Sequence, residues 1–381
     1  MKPCSRHKGK GMVESKKNTI YSLIVLLPSI ILLLIFVYGF IGNSFYVSLT
    51  DWGTGAALRE NPVKNFIGLE NYRQLFTGAI NERFRQDLVN AIFYSLFLVA
   101  GTLAVGLFLA ILLDKGPKGE HVLRTIFLFP MALSFIVTGT IWRWVFSPKG
   151  GVNLIPTWFG AEKGDFLWLS SRKLVMTFNW QNILQIIALI LFVICALILY
   201  SGWKNGRRTR TIWGAVLSGL MLFYALVLHY VLPPILPYEE THGFSMATIG
   251  IIIAAVWQYS GYTMALYLAG LRGLPIAMYE SAKMDGAGDL TYYFKIAIPN
   301  MWPITLSAII IISHISLKLF ALIFSMAGAD NASTGHPSVL MYLVTFRANN
   351  FANGAAISVI LFLMAALFII PYLIQSYRAR R

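Results

Sequence analysis

A charged run in the second half of an otherwise apolar chain holds the residue types most suited to chemistry or recognition. Between Tyr279 and Asn300 it carries Glu280, Lys283, Asp285 and Asp289 beside two glycines. No H-E-x-x-H, G-x-S-x-G or phosphate-binding G-x-x-x-x-G-K-[ST] motif occurs in the chain. We therefore expect no catalytic residues and no ATPase site here. The two remaining interpretations are a surface that contacts another protein and a solvated connector.

The local pattern of this run predicts a short helix over 276–287. Pro275 suits the start of a helix, and Gly286, which tolerates a left-handed backbone, suits its end. Three small side chains would leave a low surface that another protein's backbone could approach: Ser281, Ala282 and Ala287. The expected element is a surface helix with one face offered to the cytoplasm.

The elements that must position this helix are membrane spans. The chain of 381 residues is 57% hydrophobic and only 12% charged, whereas soluble domains carry about 25% charged residues. Long apolar runs without the alternation of barrel strands predict an all-α integral membrane protein with about eight transmembrane helices. The predicted spans cover 20–41, 91–113, 122–146, 183–201, 211–232, 247–270, 302–326 and 356–376.

The distribution of basic residues predicts the orientation. Most of the 31 Lys and Arg residues fall in the N-terminal tail, the C-terminal tail and alternate connections, which places both termini and the 271–300 loop in the cytoplasm. This bias accounts for the net charge of +15 without a nucleic-acid partner. The first apolar run is too long for a cleaved signal peptide. Cys4 and Cys195 lie in a polar tail and an apolar run, so we expect neither a disulfide nor a metal site.

Several motifs in the chain resemble one family. Glu280-Ser281-Ala282, Asp285-Gly286-Ala287 and Ile296 to Pro299 resemble the EAA loop of permease subunits in bacterial ABC importers. The carbohydrate-type permeases of the maltose and glycerol-phosphate importers share further patterns with the segments Phe66 to Tyr72, Arg124 to Pro130, Trp142 to Trp144, Trp257-Gln258 and Ala269 to Leu271. Ser281 replaces an alanine and Ile298 a leucine of the usual pattern.

The resemblance implies an importer in the bacterial cytoplasmic membrane that takes up a sugar or a sugar-like solute. Its implied partners are a second permease subunit, a cytoplasmic ABC ATPase dimer, an extracytoplasmic solute-binding protein and membrane lipid. ATP and Mg²⁺ would bind to the ATPase, with no cofactor on this chain. The coupling residues carried over are Glu280, Ser281, Ala282, Asp285, Gly286 and Ala287.

The resemblance also implies a solute pathway. Positions that contact sugar in the family match residues early in the sixth span and in the middle of the seventh. Carried over with a neighbouring lysine, they are Trp257, Gln258, Tyr259, Tyr262, Ser316, Lys318 and Leu319. Polar and aromatic side chains inside spans suit sugar hydrogen bonds and ring stacking. A structural role for Lys318, either snorkelling or contacting another subunit, stays open.

The family pattern divides the chain into a basic tail at 1–19, spans at 20–170, an insertion at 171–246 and further core spans at 247–381. The insertion departs from the family, because it adds two spans joined by the basic Trp203–Arg210 turn. It could be peripheral filler, or it could dock a partner or a lipid.

Two other classes of protein compete with this interpretation. A secondary, ion-coupled transporter would need carboxylates inside spans, and the predicted spans contain none. A membrane scaffold would leave the charged loop without a purpose.

Overall fold

The computed structural model describes residue 21 and residues 25–53, 64–204, 206 and 208–379, with side chains described up to residue 370. The predicted N-terminal tail, residues 20 and 22–24 of the first predicted span and the last two residues lie outside this part of the chain. So do two residues of the basic turn, 205 and 207.

Helices dominate the described residues. The first membrane-length helix and the next, shorter helix are α1, Val25–Ser48, and α2, Glu70–Thr77. The central helices are α3, Glu82–Asp114; α4, Glu120–Ala132; α5, Phe135–Val145; α6, Ile183–Lys204; α7, Arg208–Phe223; and α8, Ala247–Arg272. The remaining helices are α9, Ile276–Met284; α10, Asp289–Asn300; α11, Trp302–Ser316; α12, Phe320–Ala327; α13, Pro337–Tyr342; and α14, Phe351–Ala379.

The prediction of a mostly helical membrane protein is confirmed. Among the described residues, six helices are long and apolar enough to cross a membrane, or up to eight if each of two bent pairs forms one span. The pairs are α4 with α5, bent by 100°, and α10 with α11, bent by 73°. The predicted span 122–146 is therefore wrong as a single helix, because it breaks at Leu133–Ser134. The predicted span 302–326 is also wrong as a single helix, because α11 ends at Ser316 and α12 begins at Phe320.

The chain divides into two compact units. The smaller comprises residues 1–71 and 344–360. In it, the buried Asn71 side chain donates hydrogen bonds of 2.8 Å to the carbonyl oxygens of Ser48 and Thr50, which joins the start of α2 to the end of α1. Trp52 stacks on Phe351 with ring centroids 4.7 Å apart.

The larger unit, residues 72–343 and 361–381, is organised around α8. Two glycines allow its close packing. A Cβ on Gly261 would lie 2.0 Å from the carbonyl oxygen of Phe127 in α4, and one on Gly106 of α3 would lie 2.0 Å from the Thr263 hydroxyl. Thr263 donates a 2.6 Å hydrogen bond to the Thr102 carbonyl. Close approach through small residues is how helices pack where lipid supplies no hydrophobic driving force.

The segment predicted as an insertion forms a helical hairpin, α6 and α7, between two paired strands. The strands β1, Leu174–Asn179, and β2, Thr241–Ser245, run antiparallel with Leu174 opposite Ser245. The strands bring the two ends of the hairpin together. A buried ion pair between Arg85 of α3 and Glu240 ties this junction to the core.

Carboxylates do occur in one of the membrane-length helices. Helix α3 starts nine residues before the predicted second span, and it contains a fully buried carboxylate, Asp87. The Arg83 guanidinium lies 4.0 Å from it. The predicted spans contain no carboxylate, but the observed helix α3 does. The lack of carboxylates in the predicted spans is therefore no argument against ion coupling.

Candidate functional site

The loop between α8 and α11 folds as the local signals predict at both ends of its short helix. Pro275 occupies the position before the first residue of α9, and the helix ends at Met284. Gly286 has φ +77°, and the amide of Ala287 donates a 2.9 Å hydrogen bond to the Ala282 carbonyl. This left-handed glycine cap is confirmed as the end of the helix.

Apolar packing holds this loop against the ends of α3 and α8. Ala282, Tyr292, Tyr293 and Met301 are buried in one cluster with residues of those helices. Tyr279 of α9 packs edge-on against Tyr292, with ring centroids 4.9 Å apart. Because the cluster includes both neighbouring helices, a force on α9 is transmitted to them through side-chain contacts.

Polar contacts add to this packing. Tyr293 donates a 2.8 Å hydrogen bond to the Asp114 carboxylate at the end of α3. Asp289 accepts a 2.6 Å hydrogen bond from Lys283, which raises the pKa of Lys283, and its other oxygen lies 3.4 Å from Lys115. These contacts join α9 to α10 and α10 to the region after α3.

An ion-pair cluster between α8 and α4 lies beside the loop. Arg272, the last residue of α8, donates a 2.8 Å hydrogen bond to Glu120, the first residue of α4. Arg124 binds the same carboxylate. The pair therefore ties the ends of α8 and α4 together at the base of the loop.

The predicted coupling residues divide into two sets. Glu280, Ser281, Asp285 and Gly286 are exposed, Ala287 is half-buried and Ala282 is buried. Among the described residues, no side chain forms a hydrogen bond or an ion pair with the carboxylates of Glu280 and Asp285. The expectation that Ala282 belongs to an approachable surface is wrong, because its small size serves packing inside this chain.

The predicted pathway residues of α8 do not converge on one site. Gln258 is buried, and its amide donates a 3.0 Å hydrogen bond to the carbonyl of Leu133. That carbonyl lies at the break between α4 and α5, where a helix end leaves backbone groups unsatisfied. Tyr259 packs against Phe135 at 6.0 Å, and Tyr262 packs against the buried core. Gln258 thus has a structural partner within the chain.

Trp257 has a different environment. It packs edge-on against Trp142 at 5.8 Å and, with Ser260, lines a cavity of about 870 Å³ between α3, α4, α5 and α8. The other lining residues are almost all apolar.

The remaining pathway residues lie at the break between α11 and α12. Ser316 and Leu319 are buried, and the Ser316 hydroxyl lies 2.6 Å from that of Ser95. Lys318, in the same break, is exposed. Ser316 and Leu319 therefore face the chain's own core, whereas Lys318 is accessible to another molecule.

Sequence reasoning missed the groups that support these sites. Ser95, Asp114 and Glu120 each lie far along the chain from their partners, and no local spacing relates them. Asp114 and Glu120 each flank a long apolar run, and this position at a helix end was the one sequence signal that could have indicated them.

Comparison with known proteins places these features in context. Residues 203–381 match the family model described as "binding-protein-dependent transport system inner membrane component". A probable ABC transporter permease of Pyrococcus horikoshii is 35% identical over 360 residues, which cover 94% of this chain and 96% of that protein. The xylose/arabinose import permease of Haloferax volcanii is 28% identical over 353 residues, or 91% of this chain and 85% of the relative.

A solved structure shares the fold. The crystal structure of a bacterial alginate ABC transporter, in complex with its alginate pentasaccharide-bound periplasmic protein, contains a chain that superposes with a TM-score of 0.60 at 16% identity. The match covers 94% of each chain.

Proposed function

The chain belongs to the family of carbohydrate-type ABC importer permeases, and from that premise we propose that it moves a sugar or sugar-like solute across the cytoplasmic membrane while α9 couples it to a separate ATPase. The remaining parts of the proposed complex are a second permease subunit, an ATPase dimer that carries ATP and Mg²⁺, and an extracytoplasmic solute-binding protein. Both termini and the loop would face the cytoplasm, as the basic residues predict.

One observation carries the coupling proposal. Helix α9 packs against the rest of the chain through the buried Ala282 and against the buried Tyr292 of α10. Among the described residues, Glu280 and Asp285 remain exposed and unpaired. A helix held in this way moves as a rigid body with the ends of α3 and α8. Basic groups on an ATPase would pair with the two carboxylates, and closure of the ATPase dimer would then shift the spans.

The solute pathway is proposed to follow Trp257 and Lys318, which remain accessible. Trp257 supplies an aromatic face beside the cavity, and Lys318 supplies hydrogen-bond donors at a helix break. Gln258, Ser316 and Leu319 would support the pathway from within the chain, because each is buried and the Gln258 amide nitrogen and the Ser316 hydroxyl already have partners. Tyr259 and Tyr262 would act in the same way through packing.

Co-purification tests the coupling proposal directly. The full transporter is expressed with wild-type chain or with Glu280→Arg, extracted in mild detergent and analysed for the amount of ATPase subunit bound. We expect Glu280→Arg to lose at least tenfold in bound ATPase, because a like charge would face the basic groups of the partner. Glu162→Arg provides the matched control, since Glu162 is equally a lone exposed carboxylate in a different loop.

The two variants separate coupling from a general effect of charge. Normal ATPase recovery and normal solute-stimulated hydrolysis in Glu280→Arg would contradict the proposal. Equal loss in both variants would show that added positive charge, rather than contact at α9, weakens the complex.

A further inference from the structure

The turn that joins α6 and α7 has a strong positive charge with nothing in the hairpin to balance it. Lys204, Arg207, Arg208 and Arg210 lie within seven residues, and no Asp or Glu occurs between positions 166 and 238. Among the described residues, Lys204, Arg208 and Arg210 form no ion pair. Any anionic group that pairs with these side chains therefore comes from outside the described part of the hairpin.

A groove leads from this turn along the hairpin. It has a volume of about 490 Å³ and is lined by Ile194, Leu197, Ile198 and Ser201 of α6 together with Arg210 of α7. The α6 residues are spaced by three and four, so they lie on one helix face. The groove is apolar at one end and carries Ser201 and Arg210 at the other. The side chains of Ile194, Leu197 and Ile198 are 45–63% exposed, so the described chain leaves this face open.

Close helix packing fixes the position of Arg210 relative to the apolar row. A Cβ on Gly214 of α7 would lie 2.8 Å from the backbone of Leu199, and one on Gly202 would lie 2.8 Å from the amide of Thr211. The two helices therefore meet backbone to backbone at the basic end. The groove is formed without any rearrangement of the hairpin.

We propose that this groove binds an anionic membrane phospholipid, with the phosphate at Arg210 and one acyl chain along Ile194, Leu197 and Ile198. From position 201 to position 194 the helix rises about 10 Å, which suits the first carbons of an acyl chain. Trp203 and Trp213, 74% and 61% exposed, flank the same end, as expected of side chains at the boundary between headgroups and hydrocarbon. Basic clusters beside spans attract anionic headgroups. The site is independent of the solute and of the ATPase.

Native mass spectrometry of the intact transporter tests this site. The complex is titrated with phosphatidylglycerol or with phosphatidylcholine, and the bound lipid is counted. We expect phosphatidylglycerol to bind preferentially, and the double variant Arg208→Gln/Arg210→Gln to weaken its binding by about tenfold. Arg172→Gln/Lys173→Gln removes the same charge from exposed residues outside the hairpin and should leave binding unchanged.

A second pair of measurements tests the apolar half of the groove. Leu197→Trp fills the groove without changing charge and should weaken phosphatidylglycerol binding by a similar factor, whereas Leu220→Trp, an exposed position elsewhere on α7, should not. Soluble glycerol phosphate should not compete at millimolar concentration, because it lacks the acyl chain.

Three outcomes overturn the proposal. They are equal binding of the two lipids, equal losses in the two charge variants, and displacement of the lipid by soluble glycerol phosphate. The last outcome would identify a site for a free anion.

Discussion

The charged groups at the two ends of α3 differ in their exposure to solvent. At the Glu82 end, Arg85 is fully buried and donates a 2.6 Å hydrogen bond to Glu240 beside a second, shorter contact, and Asp87 is buried as well. At the Asp114 end, the side chains of Lys115 and Asp289 are 53% and 45% exposed. One helix therefore joins a buried polar junction to a solvated one.

The difference indicates which end is built to move. Breaking a buried ion pair leaves an uncompensated charge away from water, so the Glu82 end has one favourable arrangement. Exposed ion pairs exchange readily with water and salt, so the Asp114 end can rearrange at little cost. Under the proposed function, the solvated end receives the ATPase and the buried end holds the outer part of the permease in place.

The largest effect is expected at the solvated end, from Gly286→Trp. The substitution places a side chain where φ is +77° and puts a bulky ring on the exposed surface of the loop that carries Glu280. We expect transport and solute-stimulated ATP hydrolysis to be abolished while membrane insertion stays normal. Uptake of labelled solute into proteoliposomes and ATPase assays measure both quantities.

Gly160→Trp is the control for backbone strain. Gly160 has φ +75°, is exposed and, like Gly286, has nothing within 4 Å of an added Cβ. It should retain transport. If Gly286→Trp keeps normal solute-stimulated ATPase activity, the assignment of this loop as the coupling element fails.

Local signals predicted the solvated end well. Pro275 and Gly286 act on the residues beside them, so the sequence alone located both ends of α9. The long apolar runs likewise predicted helices of membrane length, since hydropathy is a property of one segment.

The buried end and the helix break at 317–319 could not be predicted in this way. Glu240 lies 155 residues from Arg85, and both lie between predicted spans, where no local pattern identifies a partner. The break after Leu133 has a local signal, because Ser134 caps α5 by accepting a hydrogen bond from the Val137 amide. The break at 317–319 contains neither Pro nor Gly, so it depends on packing. Gln258 was carried over to the solute pathway from the family resemblance, and its bond to the Leu133 carbonyl, 125 residues away, follows no local pattern.

Glu240→Gln should produce the largest loss of stability at the buried end. Burial opposes ionisation of Glu240, yet hydrogen bonds from Arg85 and His242 hold the pKa of this carboxyl below its ordinary value. Removing the charge leaves Arg85 buried and uncompensated, at a cost of about 3–5 kcal/mol. Thermal unfolding of the purified complex, compared with the exposed neighbour variant Glu239→Gln, measures this loss. Equal midpoints for the two variants would show that the junction is solvated after all.

Acidification should act on the buried end through His336. Burial lowers the pKa of His336 to about 3, and a backbone contact with Ser316 only partly offsets this. In the unfolded chain, His336 takes up a proton below about pH 6.5, whereas in the folded chain it stays neutral until about pH 3. Stability is therefore complete above pH 6.5 and falls by about 2 kcal/mol by pH 5.

His336→Asn isolates this titration. An Asn side chain can keep the cap at the start of α13, where the His336 ring accepts a hydrogen bond from the Ser338 amide, but it does not titrate. The fall in melting midpoint between pH 7.5 and pH 5 should shrink in this variant. It should persist in His121→Asn, which alters an exposed histidine. An unchanged fall in His336→Asn would assign the acid sensitivity to other groups.

The smallest effect is expected from Asp289→Asn, at the solvated end. This substitution removes the hydrogen bond of 2.6 Å from Lys283 and the attraction to Lys115, but all three side chains are at least 39% exposed. Water and salt screen such pairs, so the melting midpoint should match wild type at 0.15 M salt and should not respond further at 1 M. A loss as large as that of Glu240→Gln would mean that the ion pairs at the Asp114 end are fixed elements of the fold. In that case the Asp114 end would be as fixed as the Glu82 end, and the contrast between a rigid end and a mobile end would have to be abandoned.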